Sequence, residues 1–310
     1  MAQSVDWVAG DQVAVSSGAD YTIHTIGGGS TQSISISPGL TVGSGSLQSL
    51  DYGLSLDTRP EVALLTRSVT IRGAPQCRIL ASHLVVDNHD YQGSLTLSNV
   101  HVDGCGSDIL NAIDVGSGVT PELEGCDKCP PDSIGPAATA RISGSVVSAS
   151  KRGGVAAVAA ISLTIQDSAV VGTVGTAVDV RDPAQRPTVT GTLVMSARNY
   201  TVNPRTEKTA CFSVCSTASA PCTAASMVRN VCAGSANAGF LVYAVACSQA
   251  MPYADNTAHD ALVGVLIHGR GSSCAAAAGF AAYDCSEVAI PSLYGQVRGT
   301  CIDLVTECFC

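Results

Sequence analysis

Apolar and polar residues alternate in short runs along this chain, and Gly, Asn, Asp or Ser separates the runs. Ser94-Leu95-Thr96-Leu97-Ser98 and Ser162-Leu163-Thr164-Ile165-Gln166 are the clearest. A period of two predicts strands that bury one face. Each run is too short to bury its apolar row alone. Helical spacing is nearly absent: Ala275 to Ala278 is Ala-rich, but Gly279 follows at once.

The runs recur. Ser94 to Gly104 can be laid on Ser162 to Gly172 with five identical positions, at an offset of 68 residues. A similar short strand follows each copy, Ala112-Ile113-Asp114-Val115 and Ala177-Val178-Asp179-Val180. Further on, Asn230 and Asn256 lie 26 apart and precede Gly239-Phe240-Leu241-Val242 and Gly264-Val265-Leu266-Ile267. An offset of 68 reads as three turns of about 23 residues. A period of that size, filled by strands, predicts an all-β chain wound as a right-handed parallel β-helix of roughly 13 turns. Stacked turns then share one core and pair one another's backbone. Asn99, Asp167, Asn230 and Asn256 fall at recurrent bends, where stacked amides can satisfy each other. Residues 116–136 interrupt the pattern with Gly and Pro and read as a projecting loop, as do 182–187 and 203–220.

Composition narrows the class. Charged residues are 13% and aromatics 4% of the 310 residues, too apolar for disorder and too poor in helix formers for a bundle. A formal charge of −9 argues against a nucleic-acid partner. No apolar run approaches the roughly 20 residues of a membrane helix. The 14 cysteines are Cys77, Cys105, Cys126, Cys129, Cys211, Cys215, Cys222, Cys232, Cys247, Cys274, Cys285, Cys301, Cys308 and Cys310. Ten of them lie from Cys211 onward, in an Ala- and Ser-rich region from residue 203 that is poorly able to build a dense core. All 14 are disulfide candidates, and disulfides need an oxidising compartment. No basic stretch and apolar core follow Met1, so no signal peptide is visible. The expectation that reconciles these facts is an internal piece of a longer extracellular or cell-surface protein, with neighbouring domains as partners.

Three stretches stand out: Asp6-Trp7-Val8-Ala9-Gly10-Asp11-Gln12-Val13-Ala14-Val15-Ser16-Ser17, Glu61-Val62-Ala63-Leu64-Leu65-Thr66-Arg67-Ser68-Val69-Thr70-Ile71-Arg72-Gly73, and the bends at Asn230 to Phe240 and Asn256 to Asp260. They resemble the fibrocystin and fibrocystin-like family, which is related to cell-surface and secreted hyaluronidases. The resemblance implies that residues 1–75 are the C-terminal part of a glycine-rich β domain continuous with the solenoid, and that 76–310 are β-helix repeats. It implies a cell or ciliary surface, with glycans or other surface proteins as partners. Trp7, Gly10, Asp11, Glu61, Arg67 and Gly73 carry the motifs, with Glu61 and Arg67 expected to pair or cap backbone groups where the two regions join. The hyaluronidase branch has a His shortly before the Glu61 strand. Asp51 stands there in this chain, which speaks against hyaluronan cleavage.

Candidate chemistry is sparse. Asp114 and Asp179 recur at matching strand positions, as the acid and base of a polysaccharide-cleaving β-helix or its calcium ligands do; turn-edge carboxylates are the plainer account. Asp87-Asn88-His89-Asp90 reads as a polar turn. Cys126-Asp127-Lys128-Cys129 has no second pair and reads as a loop disulfide rather than a zinc half-site. Gly27-Gly28-Gly29 lacks the context of a phosphate loop and is a turn. His24, His83, His101, His259 and His268 show no metal-ligand spacing, and no cofactor motif is present. Asn199-Tyr200-Thr201 is a glycosylation sequon for a secreted chain. Two readings follow. One is a non-catalytic ectodomain module for adhesion, glycan recognition or assembly. The alternative is a carbohydrate-active enzyme, hyaluronidase-like or lyase-like, using the long face of the solenoid.

Overall fold

A computed structural model describes residues 6–30, 33–40, 47–50, 54–57, 59–73, 77–81, 84–86, 89–108, 110–116, 138–181, 187–199, 209–214, 226–243, 245–246, 253–268, 273–274, 280–283, 289–290 and 303–304. They are strands, turns and bends, with no helix among them.

From Val69 onward most of the described strands form a three-sided parallel solenoid; Leu84–Val86 with His89–Tyr91, and Val245–Ala246 with Ser273–Cys274, form separate antiparallel pairs. Face A is a sheet of six parallel strands: Gly93–Ser98, Ala138–Ser143, Ser162–Gln166, Thr188–Thr190, Ser226–Val228 and Tyr253–Ala254. Face B runs from Val69–Arg72 through Val100–Asp103, Val146–Ser148, Ala169–Val174 and Leu193–Arg198. Face C runs from Ile79–Ala81 through Ile113–Gly116, Val155–Val158, Val178–Arg181 and Ala210–Val214. Two long strands, Val231–Tyr243 and Asn256–His268, pair with both faces and join B and C into one sheet. Phe280–Tyr283 adds the last described strand of face B.

Register explains the core. On face A, Leu97, Ile142, Ile165, Val189, Met227 and Tyr253 stack one above another and are all buried. Full burial of one such side chain stabilises the fold by about 1.5–3 kcal/mol. On face C the matching inward column includes Phe212 and Phe240, whose rings stack 5.0 Å apart, and continues to the buried Val265.

The coil length differs from a simple reading of the repeat. Leu95 pairs with Ala140 and Ala140 with Leu163, so the 68-residue offset spans two coils, one of 45 residues and one of 23. The coil between the two copies carries residues 117–137, which lie outside the described residues. Face B accordingly has eight stacked strands among the described residues, fewer than chain length divided by period.

Two columns of left-handed residues turn the corners. Asn99, Gly144, Asp167, Gly191, Arg229 and Asp255 all have positive φ between faces A and B. Gly104, Ala149, Gly172, Ser196, Gly234 and Asp260 do the same at the end of the face B segments. The stacked-amide expectation needs correction here. Asn99 and Asp167 belong to the corner column, where their side chains lie over Gly144 and Gly191; a Cβ on either glycine would sit 2.6 Å from the Asx oxygen. The buried ladder is the next column, Ser145, Ser168, Thr192, Asn230 and Asn256, and only the last two are amides.

Before Val69, Leu47–Leu50 pairs with Leu54–Asp57, and four other described strands form a separate antiparallel sheet, in the order Ser33–Ser37, Asp20–Ser30, Gln12–Ser17, Val62–Leu64. The solenoid thus begins a few residues ahead of residue 76. One side of this sheet lies on the outer surface of face B, where Ala14, Ala63 and Leu65 pack against Val146, Ala169, Val171, Met195 and Ala233. Its hairpin turn settles into the corner column. A Cβ at Gly172 would collide with the Tyr21 ring, and one at Gly234 would press on Ala19. Ser196, between those glycines, donates to Asp20 Oδ1 at 3.4 Å. The alternation of small and left-handed residues is thereby fitted to the strand pair that covers it.

Candidate functional site

With face B covered by the antiparallel sheet, face A presents the solenoid's polar surface. Strand alternation decides what it shows. One outward column is Thr96, Arg141, Thr164, Thr188 and Ser226. Beside it run Ser98, Ser143, Gln166 and Thr190, and on the other side Ser94, Thr139 and Ser162. Each is half-buried or exposed. Neighbouring strands of a sheet lie about 4.8 Å apart, and alternate residues along a strand about 6.7 Å apart, so these hydroxyls form a regular two-dimensional array. No other described group takes up their hydrogen bonds. Arg141 is the one charged residue among them and has no ion-pair partner among the described residues. Sequence reasoning missed this surface. Its signal was present in the Ser-Leu-Thr-Leu-Ser alternation, which points the apolar residues inward and the hydroxyls out.

Asp114 and Asp179 do share the outer side of face C, two coils apart with Ala156 between them. Each is already engaged. Asp114 is 0% exposed. Its Oδ1 accepts from Asn111 Nδ2 at 2.6 Å, and Arg78 Nε lies 2.6 Å from Oδ2, an ion pair by distance but not aligned as a hydrogen bond. Burial pushes the Asp114 carboxyl above its usual range, opposed by Asn111 and Arg78. Asp179 is held by the Nε and Nη2 of Arg181. The pair is buried and neutralised by neighbours, which corrects the picture of turn-edge carboxylates facing solvent. Among the described residues no three His, Cys, Asp or Glu side chains are grouped to hold a metal ion.

A second polar cluster joins three successive strands of face B. Arg72 grips Asp103 Oδ2 with Nε at 2.7 Å and Nη2 at 2.6 Å. Ser148 donates its one hydroxyl proton to Asp103 Oδ1 at 2.8 Å. His101 Nε2, 2.8 Å from that hydroxyl oxygen, must therefore be the donor to it. Ser, His and Asp are all present, but the serine proton faces the carboxylate and not the imidazole, so the order of a nucleophilic triad is missing. Burial raises the Asp103 carboxyl, yet the Ser148 and Arg72 hydrogen bonds outweigh it and hold the group below its usual range. Burial lowers the His101 imidazole.

The motif residues of the N-terminal stretches sit at the junction. Arg67 Nε donates to Gly144 O at 2.6 Å and Nη1 to Thr66 O at 2.8 Å, tying the linker to the second coil. Glu61 lies 3.9 Å from the buried His259 of face B. Asp11 caps Val8 N at 2.9 Å, Gly10 takes positive φ in that turn, and Trp7 packs beside Val13, Val15 and Ile26. Gly73 passes so close to Cys77 that any Cβ would clash.

Among the described residues two disulfides are formed, Cys77–Cys105 and Cys211–Cys232. They are compatible with an oxidising location, and no helix among the described residues is long and apolar enough to cross a membrane. Asn199 is exposed just beyond Leu193–Arg198. Asp51, His83, Asp87, Asn88, Cys126, Cys129, Cys215, Cys222, Cys247, Cys285, Cys301, Cys308 and Cys310 lie outside the described residues, as does the side chain of Cys274.

Comparison with protein-family models, with curated proteins and with solved structures finds no match.

Proposed function

We propose that this chain is a non-catalytic module of a large extracellular, fibrocystin-like surface protein, and that face A recognises glycan chains. One observation carries the reading: the hydroxyl array of face A is half-buried to exposed, regular and unused by other described groups of the protein. Surfaces kept only for solubility are about 25–35% charged, whereas the outward positions of face A hold one charge, Arg141. A polyhydroxylated polymer can exchange hydrogen bonds with such an array without desolvating carboxylates. Engagement of Asp114 by Arg78 and Asn111, and of Asp179 by Arg181, favours binding over bond cleavage.

The test is retention of the intact chain on immobilised polysaccharides, comparing the native protein with the double variant Thr96→Val/Thr164→Val, which keeps side-chain volume. Loss of two hydrogen bonds of about 1 kcal/mol each weakens binding roughly tenfold or more. Unchanged retention would move the binding surface away from face A. Release of reducing sugar, abolished by Asp114→Asn, would replace this reading with the enzymatic one.

A further inference from the structure

We propose that the glycan recognised by face A is acidic, and that Arg141 binds its carboxylate or sulfate groups; this rests on the glycan reading above. Several described arginines are engaged by neighbours: Arg67 caps Gly144 O, Arg72 pairs with Asp103, Arg78 with Asp114, and Arg181 with Asp179. Arg141, like Arg198 and Arg229, has no such hydrogen bond or ion pair among the described residues, but it alone of these three stands inside the hydroxyl array of face A. Register puts Thr96 and Thr164 beside it on the neighbouring coils, and alternation puts Thr139 and Ser143 on either side along its own strand. Four hydroxyls surround the guanidinium. None can neutralise it, and each can hold a sugar hydroxyl next to an oxyanion that does.

Guanidinium geometry suits this role. Its planar fork makes two parallel hydrogen bonds to a carboxylate, sulfate or phosphate oxygen pair, which a neutral sugar does not offer. The outward positions of the described face A strands carry no carboxylate to oppose an anionic chain. Asp167, at the corner of face A, is engaged by Gln166, and at physiological ionic strength repulsion from the rest of the net charge of −9 is screened beyond about 8 Å.

The experiment measures binding of the full chain to three polymers: alginate oligomers, dextran sulfate and unsubstituted dextran. The native protein, Arg141→Gln and Arg141→Lys are compared at low and physiological salt. The expected result is binding of alginate, dextran sulfate or both at least tenfold tighter than dextran. Arg141→Gln abolishes that preference with an unchanged thermal midpoint, and Arg141→Lys retains part of it. Preference for alginate alone assigns a carboxylate, and for dextran sulfate alone a sulfate. Equal binding of all three polymers, or anionic binding untouched in Arg141→Gln, would overturn the proposal and leave the glycan reading standing. Failure to bind any of the three overturns both.

Discussion

Asn256 accepts two hydrogen bonds from Asn230 through one oxygen, from the side-chain Nδ2 at 3.0 Å and from the backbone N at 3.1 Å. Both residues are fully buried. Asn230 in turn accepts from Thr192 N at 3.0 Å and donates to Val189 O, so one amide satisfies two backbone groups of the coil before it while reaching Asn256 on the coil after. The earlier members of the column do part of this with a hydroxyl: Ser145 and Ser168 accept from the preceding coil at 3.2 and 3.3 Å.

A graded prediction follows from that column. Asn256→Ala leaves two buried donors of Asn230 without acceptors, at about 1–3 kcal/mol each. Asn256→Ser keeps a hydroxyl where the column elsewhere uses one, and recovers the backbone bond. Chemical denaturation should rank the proteins native, Ser, Ala, with the alanine variant about 3 kcal/mol or more below native. Equal midpoints for Ser and Ala would show that the ladder is incidental.

The imidazole of His101 gives a pH dependence whose direction is fixed. Burial lowers its pKa in the fold; Asp103 opposes this, and Arg67 and Arg72 reinforce it. Unfolded, the ring titrates near about 6.5. Above that pH it is neutral in both states and stability is at its full value. As pH falls below about 6.5 the unfolded chain takes the proton first, and stability declines until the folded-state value is reached. Asp103 acts in a lower window, because its folded value is depressed; its contribution is present above about 3.9 and is lost as pH falls through that folded value. Unfolding free energies of the native protein should drop between pH 7 and 5, and His101→Gln should flatten that drop. Parallel curves would place the titrating group elsewhere.

Much of the architecture was legible because period-two alternation and recurrent bends are written locally. Leu95, Leu97, Leu163 and Ile165 announce their inward row without help from distant residues. The corner columns were legible only in part. Asn99, Asp167 and the glycines advertise left-handed backbone, whereas Ala149, Ser196 and Arg229 occupy the same conformation with no such tendency, held there by the coils on either side. The glycines at 172 and 234 answer to a hairpin more than 150 residues earlier in the chain. Asp114 was misjudged for the same reason: its partner Arg78 comes from the coil before, and no spacing rule links the two. The hydroxyl surface was overlooked because serine and threonine in a strand were read for what lies behind them.

The length of the interrupted coil yields the last prediction. Gly116 pairs with Val158 and Thr139 with Ser162, so the uninterrupted coil crosses from face C to face A with Ala159, Ala160 and Ile161 between paired positions. The interrupted coil makes the same crossing with residues 117–138. Ala138 pairs with Gly93 on the coil before it and already belongs to face A. Residues 117–137 can therefore be replaced by two alanines without moving a paired strand, since Ala138 then stands where Ile161 does. Loop-closure entropy changes by only about 0.6 kcal/mol for each doubling of length. Shortening from 21 residues to two should therefore leave stability unchanged or raise it by up to about 2 kcal/mol. Thermal unfolding of the shortened chain measures this. Retention of the native β-sheet circular dichroism with an equal or higher midpoint is the expected outcome, and a shortened chain that no longer folds would show that residues 117–137 contribute to the core they interrupt.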